Sequence, residues 1–355
     1  MRYSLSKVAS LATLALACAL ASPSNAVELS KHLSTIVSPE PIVRIAPKYP
    51  INAARSGREG WAELSFVIDK EGDVSNVLVK DTSGSNDFAK EAIKAAKKWR
   101  YKPAFENGKA IQQCVNTVRM DFKMGESASE GTVGVSRRFI IKYKKAKKAL
   151  EEQDYKEVDT QLALMMKRKS MHLSEHNYMH MLAAEYEKAK GNKEKQLFHL
   201  SRIAKSFVRQ DDEKQELSIL YQMFILQVEF NEFRAAHNTY NRLIKLDSAK
   251  PHLGKLDKIM AKVDAAVASD GDLIRLADIK GNDFWTADLV RNEFSLTNVD
   301  GSLHTLDVRC VNKRHVYTIE EDNTWKLPAS WENCSIYVYG EPKTSFKLIE
   351  HPLGT

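Results

Sequence analysis

The sequence predicts a multidomain α+β protein built from an N-terminal β-β-α-β domain, a central α-helical array and a C-terminal all-β domain. Three observations predict it. At 355 residues the chain is longer than one hydrophobic core usually organises. With 43% hydrophobic and 28% charged residues it has the composition of folded globular protein. The spacing of its apolar residues also changes along the chain, from alternation to helical periodicity and back.

Residues 1–26 read as a secretory signal. Arg2 and Lys7 precede an apolar run from Val8 to Ala21, and Ser24-Asn25-Ala26 offers small residues for cleavage after Ala26. This predicts a periplasmic protein. Two other readings stay open: an uncleaved inner-membrane anchor, although a helix needs about 20 apolar residues to span a bilayer, and a lipoprotein anchored at Cys18. Leu16-Ala17-Cys18 partly matches a lipobox, with Ala15 where leucine is usual. Residues 27–41 form a polar leader containing Pro39 and Pro41. The formal charge is +7, and two of the positive residues lie in the signal. Basic residues are not interleaved with stacking aromatics, and no zinc-knuckle or helix-turn-helix signature is present, so nucleic acid is not an expected partner.

In residues 42–124 a strand comes first. Trp61, Glu63, Ser65, Val67 and Asp69 alternate with Ala62, Leu64, Phe66 and Ile68, which predicts a half-buried strand. Lys70-Glu71-Gly72-Asp73 turns the chain into a second strand bearing Val74, Val77 and Val79. Asn86 or Asp87 can cap the next element, a helix. Its apolar stripe runs through Phe88, Ala92, Ala95, Ala96 and Trp99, and Pro103 is expected to end it. After an Asn107-Gly108 turn, Ile111 to Phe122 reads as a long last strand, with Cys114, Val118 and Met120 on one side and Val115, Arg119 and Asp121 on the other. Trp99 and Phe66 are expected in the core, and Gly60 and Gly72 at turns.

Residues 125–135 form a Gly/Ser/Glu-rich linker. From 136 to 268 helix formers dominate, and a weak repeat recurs at intervals close to 38 or 39 residues, with Asp154-Tyr155, Gly191-Asn192 and Asn231 between apolar segments. The spacing fits a degenerate tetratricopeptide-like array of helix pairs, with an irregular bundle as the alternative. Such an array would offer a surface to another protein.

Residues 272–355 return to short alternating runs, including 283–288, 293–297, 305–310, 316–319 and 335–339, with turns at Asp300-Gly301, Asp322-Asn323 and Gly340. An all-β sandwich or small barrel is expected. Export permits a disulfide. Cys310 and Cys334 share this region whereas Cys114 lies far off, so Cys310–Cys334 is the expected pair. A zinc site competes for the same cysteines, without a CxxC or HxxxH to complete it.

No metal and no cofactor is expected, and the chain reads as a non-enzyme. His172, His176 and His180 recur at a spacing of four, but methionines interleave them and no HExxH pattern completes a metal site. No GxSxG, Walker loop or GxGxxG occurs.

One group of residues carries more specific information. In order these are Ala46-Pro47-Lys48-Tyr49-Pro50, Ala53-Ala54, Gly60, Phe66-Val67-Ile68-Asp69 with Gly72, Val74-Ser75-Asn76-Val77, Ala92, Ala95-Ala96, Trp99-Arg100-Tyr101-Lys102-Pro103-Ala104 and Val118-Arg119-Met120-Asp121-Phe122. Their succession resembles the C-terminal domain of the TonB family. The resemblance implies a role in energised transport across the outer membrane, such as siderophore uptake, with TonB-dependent outer-membrane receptors or motor-complex proteins as partners. It implies docking by strand addition, with Lys48, Tyr49, Pro50, Val115, Thr117, Arg119 and Asp121 at the partner-binding surface. Membrane association would then come through partners or through Cys18. A full TonB has a transmembrane helix and a Pro-rich spacer ahead of this domain. Here the domain comes almost directly after the signal, which leaves as the alternative a non-transport envelope scaffold or adaptor that uses the same fold to bind protein or peptidoglycan.

Overall fold

The computed structural model describes residues 36–83, 86–124, 134–168, 171–205, 213–281, 283–320 and 323–352. The signal segment, Cys18, most of the leader and linker, and Asp322 lie outside these residues.

The N-terminal domain contains β1 (Ile36–Val37), β2 (Glu40–Val43), α1 (Ile51–Arg55), β3 (Gly60–Ile68), β4 (Val74–Thr82), α2 (Asn86–Ala96), β5 (Arg100–Lys102), β6 (Ala104–Glu106), β7 (Lys109–Ile111) and β8 (Gln113–Phe122). An antiparallel sheet ordered β4-β3-β8 carries α2 on one face. Ala62, Leu64, Phe66 and Ile68 point toward α2 and are fully buried with Phe88, Ala92 and Ala96. Phe66 meets Trp99 edge to face at 5.7 Å. Burying a side chain such as Phe66 contributes about 1.5–3 kcal/mol. The end of the leader joins this fold, because β1 pairs with β6 and β2 with β5.

Four local expectations are corrected. The helix stops at Ala96 rather than at Pro103. Trp99 still reaches the core, from the turn before β5, and its indole N–H donates to the Ile45 carbonyl at 2.8 Å. The last strand starts at Gln113, since Lys109–Ile111 is instead half of a hairpin turned by Asn107 and Gly108, both at positive φ. β8 also contains a bulge. Leu64 pairs with Val118 but Phe66 pairs with Val115, so β8 spends one extra residue there and its side-chain alternation reverses. Val115 therefore packs on the same core as Val118, Met120 and Phe122, while Cys114 belongs to the opposite face. Gly60, finally, serves close packing rather than a turn, as a Cβ there would lie 2.1 Å from Ser83 Oγ. Gly72 does sit in a turn, at φ +87°.

The middle region is helical: α3 (Arg137–Glu151), α4 (Tyr155–Met166), α5 (Leu173–Ala189), α6 (Lys193–Ala204), α7 (Glu213–Glu229), α8 (Phe233–Leu243), a 3-10 turn at Asp247–His252, and α9 (Leu253–Val267). The sequence repeat has a physical basis in three equivalent turns. Gln153, Gly191 and Asn231 each adopt positive φ, and the next residue's amide bonds back five residues: Asp154 to Ala149 at 2.8 Å, Asn192 to Glu187 at 2.9 Å and Glu232 to Gln227 at 2.8 Å. Asp154 and Asn192 then cap the next helix. The repeat is thus one of helical hairpins, a geometry that tetratricopeptide arrays share with other antiparallel bundles. Buried Glu175 ties the first hairpin to α5, accepting from the Ser136 amide at 2.8 Å and hydroxyl at 2.6 Å and from Arg168 at 3.3 Å.

The C-terminal region comprises β9 (Leu273–Asp278), β10 (Phe284–Asp288), β11 (Glu293–Asp300), β12 (Leu303–Arg309), β13 (Arg314–Thr318), β14 (Thr324–Lys326), β15 (Ser335–Gly340) and β16 (Ser345–Glu350). They form two antiparallel four-stranded sheets, β10-β15-β12-β13 and β14-β11-β16-β9. Phe294, Leu296 and Leu348 of one sheet share a buried core with Leu306, Val308, Ile336 and Val338 of the other. A disulfide joins Cys310 to Cys334 at the edge of this core. Arg291, only 1% exposed, fastens the region to the end of α9. Its guanidinium donates to the carbonyls of Ala266 and Val267 at 3.0 Å, Ser269 at 2.9 Å and Gly271 at 2.6 Å. It thereby satisfies carbonyls that a helix end leaves without partners.

Candidate functional site

The second face of β3 decides what the N-terminal domain can offer a partner. Alternation predicted that this face would meet solvent, yet every residue of β3 is buried. The cover comes from the other two regions. Lys205, just after α6, pairs with Glu63 at 2.6 Å, and Arg202 of α6 pairs with Asp81 of β4 while its guanidinium lies 5.4 Å from the centre of the Trp61 ring. From β12, Arg309 donates to Ser65 Oγ at 3.1 Å and to the Asn76 carbonyl at 3.2 Å. Arg309 is itself buried, and shares Asp307 with Arg314 at 2.9 Å each. Glu59, just before β3, binds the start of α5: its amide donates to the Met171 carbonyl at 2.9 Å and its carboxylate accepts from the Leu173 amide at 3.0 Å.

Three histidines lie behind this contact. His176 and His180 of α5 and His199 of α6 have lowered pKa values, about 4, about 2 and about 4. Burial is the main cause in each, followed by the positive charge of Arg202. His180 and His199 share a hydrogen bond between their Nδ1 atoms at 2.8 Å, which requires one donor and one acceptor and so fits two neutral rings. His172, first of the sequence series, stands at the start of α5 beside Glu59, at 3.7 Å. Among the described residues no group of three or more His, Cys, Asp or Glu is arranged to hold a metal.

The residues expected at a docking surface fall into two sets. Tyr49 and Pro50 belong to the domain's own packing. Pro50 is buried, and the Tyr49 ring meets Phe88 and Phe122 edge to face at 6.2 and 5.9 Å. The Tyr49 hydroxyl donates to the Arg58 carbonyl at 2.8 Å, and its pKa is raised to about 12, first by burial and then by Glu59. Val115 is likewise a core neighbour, whereas Lys48 is exposed. The remaining three lie on β8, Thr117 in the bulge and Arg119 and Asp121 beyond it. Thr117 accepts from Lys80 Nζ at 3.1 Å. Arg119 lies over the Trp61 ring at 4.6 Å and pairs with Asp121 at 2.8 Å.

β8 is the outer strand of its sheet. The orientation of its backbone is set by Trp61, whose carbonyl accepts from the Ser83 amide at 3.1 Å on the β4 side. Asp121 pairs with Trp61, so its amide and carbonyl turn away from β3, toward the open edge. On the other side of the sheet, Asn76–Leu78 of β4 and residues of β12, β13 and β15 line a cleft of about 690 Å³.

Arg202, Lys205, His199 and Arg309 were not singled out from the sequence, since nothing adjacent in the chain marks a basic residue that will face a distant strand. The one signal lay on β3 itself, where Trp61 and Val67 are large apolar groups on a face expected to be wet.

Comparison with known proteins bears on this domain. Residues 45–124 match the family model for the Gram-negative bacterial TonB protein C-terminal region. Protein TonB of Xanthomonas campestris pv. campestris is 38% identical over 74 residues, 21% of this chain and 32% of its own length. Protein TonB of Yersinia enterocolitica is 31% identical over 93 residues, 26% of this chain and 34% of its own. A solution structure of the Pseudomonas aeruginosa TonB C-terminal domain is 28% identical, covering 26% of this chain and 98% of that one, with a TM-score of 0.23. The chain spans about a third of the length of the curated relatives it matches. With the strand-strand-helix-strand order, the apolar face of β3 and the family match coinciding on one stretch, residues 45–124 of this chain are a TonB C-terminal domain.

Proposed function

We propose that this protein acts in TonB-type energised transport across the outer membrane, as a non-enzymatic periplasmic protein. It would bind a TonB-dependent receptor, or a protein of the transport complex, by strand addition at β8. The observation that carries this reading is the edge position of β8 with the Asp121 backbone turned outward. An extended peptide laid along such an edge gains main-chain hydrogen bonds and presents alternate side chains for selection. The helical hairpins, read as tetratricopeptide-like, would recruit a further protein. Among the described residues no helix is long and apolar enough to cross a membrane, so force from the inner membrane would have to arrive through a partner or an N-terminal anchor.

A second reading is favoured by the covered face of β3: the domain serves as one wall of an envelope scaffold or adaptor, without transport. Titrating the full chain with synthetic receptor box peptides separates the two, alongside siderophore or vitamin uptake in a deletion strain. Peptide binding and impaired uptake are expected. No binding together with normal uptake would leave the scaffold reading.

A further inference from the structure

The β8 edge is not equally accessible along its length. Cys114 pairs with Val67 of β3, yet its amide donates to the Val311 carbonyl at 3.3 Å. Val311 therefore stands where the backbone of an added strand would lie. The Cys114 thiol contacts the Lys313 carbonyl at 3.6 Å. The turn that carries Val311 is braced on several sides. The Cys310 amide donates to the Lys313 carbonyl at 2.7 Å, and the Val311 amide to the Glu332 carbonyl at 2.8 Å. The Asn312 side chain donates to the Ser330 carbonyl at 2.7 Å and accepts from the Glu332 amide at 3.2 Å. Cys310 is held by its disulfide to Cys334. Immediately after this contact comes the bulge between Val115 and Val118, which interrupts the ladder and bends the strand.

We propose that the Cys310–Lys313 turn is a stop on the β8 edge: it keeps the start of the strand for the chain itself and confines an incoming strand to Thr117–Phe122. The inference rests on β8 being the docking edge, and it narrows the partner. Such a partner is an extended peptide that pairs over about six residues, meets the outward backbone of Asp121, and ends or turns away at the bulge. The stop also fixes register. A strand that would slide toward Gln113 meets Val311 in its path, and a slip by one residue would turn every side chain to the other face.

The test uses the full chain with a synthetic receptor box peptide carrying a photo-cross-linker at each position in turn. Cross-linked residues are mapped by mass spectrometry on the wild type, on Cys310→Ser/Cys334→Ser and on Asn312→Ala. Amide exchange at Cys114, faster in the variants, verifies that the turn has been released. On the wild type, cross-links are expected within 117–122 and not at 113–115. In the variants they spread to 113–115, and binding tightens about three- to tenfold as further main-chain hydrogen bonds form. If the cysteine variant does not fold, Asn312→Ala decides alone. Wild-type cross-links at 113–115, or one footprint in all three proteins, would overturn the stop and leave β8 as the docking edge. Absence of binding to every protein would overturn the docking reading itself, and the stop with it.

Discussion

The two faces of β3 use the same backbone for opposite purposes. The face toward α2 is apolar, made of Ala62, Leu64, Phe66 and Ile68, and everything that covers it lies within the N-terminal domain. The face away from α2 carries Trp61, Glu63, Ser65 and Val67, and it is covered from α6 and β12 as well as by Arg119 of β8 over the Trp61 ring. The first face makes a domain that supplies its own core. The second ties that domain to the rest of the chain through charged groups, which stabilise only when each is fully paired. A domain matched by its family over 45–124 therefore has one face of its sheet covered by the helices and strands C-terminal to it.

Substitutions on the two faces should separate these roles. Phe66→Ala is expected to cost about 3–5 kcal/mol, because it opens a cavity in a fully buried site. Denaturant unfolding should show the N-terminal domain losing stability first. Arg309→Ala removes the bonds to Ser65 and Asn76 but leaves Asp307 paired with Arg314, so a smaller loss of about 1.5–3 kcal/mol is expected. Its signature should be earlier protease cleavage between the N-terminal and C-terminal regions, with the core of the N-terminal domain still protected. Equal effects from both substitutions would mean that the two faces are energetically one.

Acid should act on the second face and spare the first. His176, His180 and His199 all have folded pKa values below the ordinary 6.5. The unfolded chain therefore takes up protons that the folded chain refuses, and the stability contributed is complete above pH 6.5 and lost as pH falls toward 4. The groups facing these rings sharpen the effect. Arg202 repels a proton on all three, Arg119 on His176 and Lys195 on His199, against attraction from Glu175 and Glu59 on His176. A loss on the order of 2–3 kcal/mol is expected for each histidine held near 4. Unfolding free energies measured from pH 7 to pH 4 should fall for the wild type. The triple variant His176→Gln/His180→Gln/His199→Gln should give a flatter profile in that window, and an unchanged slope would remove the histidines from the account.

Much of the fold was legible because it is local. The alternation of Ala62, Leu64, Phe66 and Ile68, the Gly72 turn and the small-residue turns at Gly191-Asn192 and Asn231 each carry their structure in a few adjacent residues. The illegible parts depend on distant partners. Nothing near Cys114 reports that Val311 will bond its amide, and the bulge that reverses β8 is set by its fit to β3. The short strands β9, β14 and β16 passed unremarked in the sequence and became visible only in their pairing. For the residues expected at a docking surface the family pattern and the packing pattern coincide, so a motif position could not by itself be told from a core position.

Tyr49 is the sharpest instance of that ambiguity, and the smallest effect. Its ring is wedged between Phe88 and Phe122, and its hydroxyl holds the Arg58 carbonyl. Tyr49→Phe keeps the ring and removes one hydrogen bond, so a stability loss of about 0.5–1.5 kcal/mol is expected. Peptide binding at β8 should not change, because the hydroxyl is already engaged within the domain. Should the variant keep its stability and bind the peptide tenfold more weakly, Tyr49 would move from the packing of the first face to the docking surface. In the expected case it anchors the chain ahead of α1, and partner contact falls to β8 beyond its bulge and to exposed Lys48.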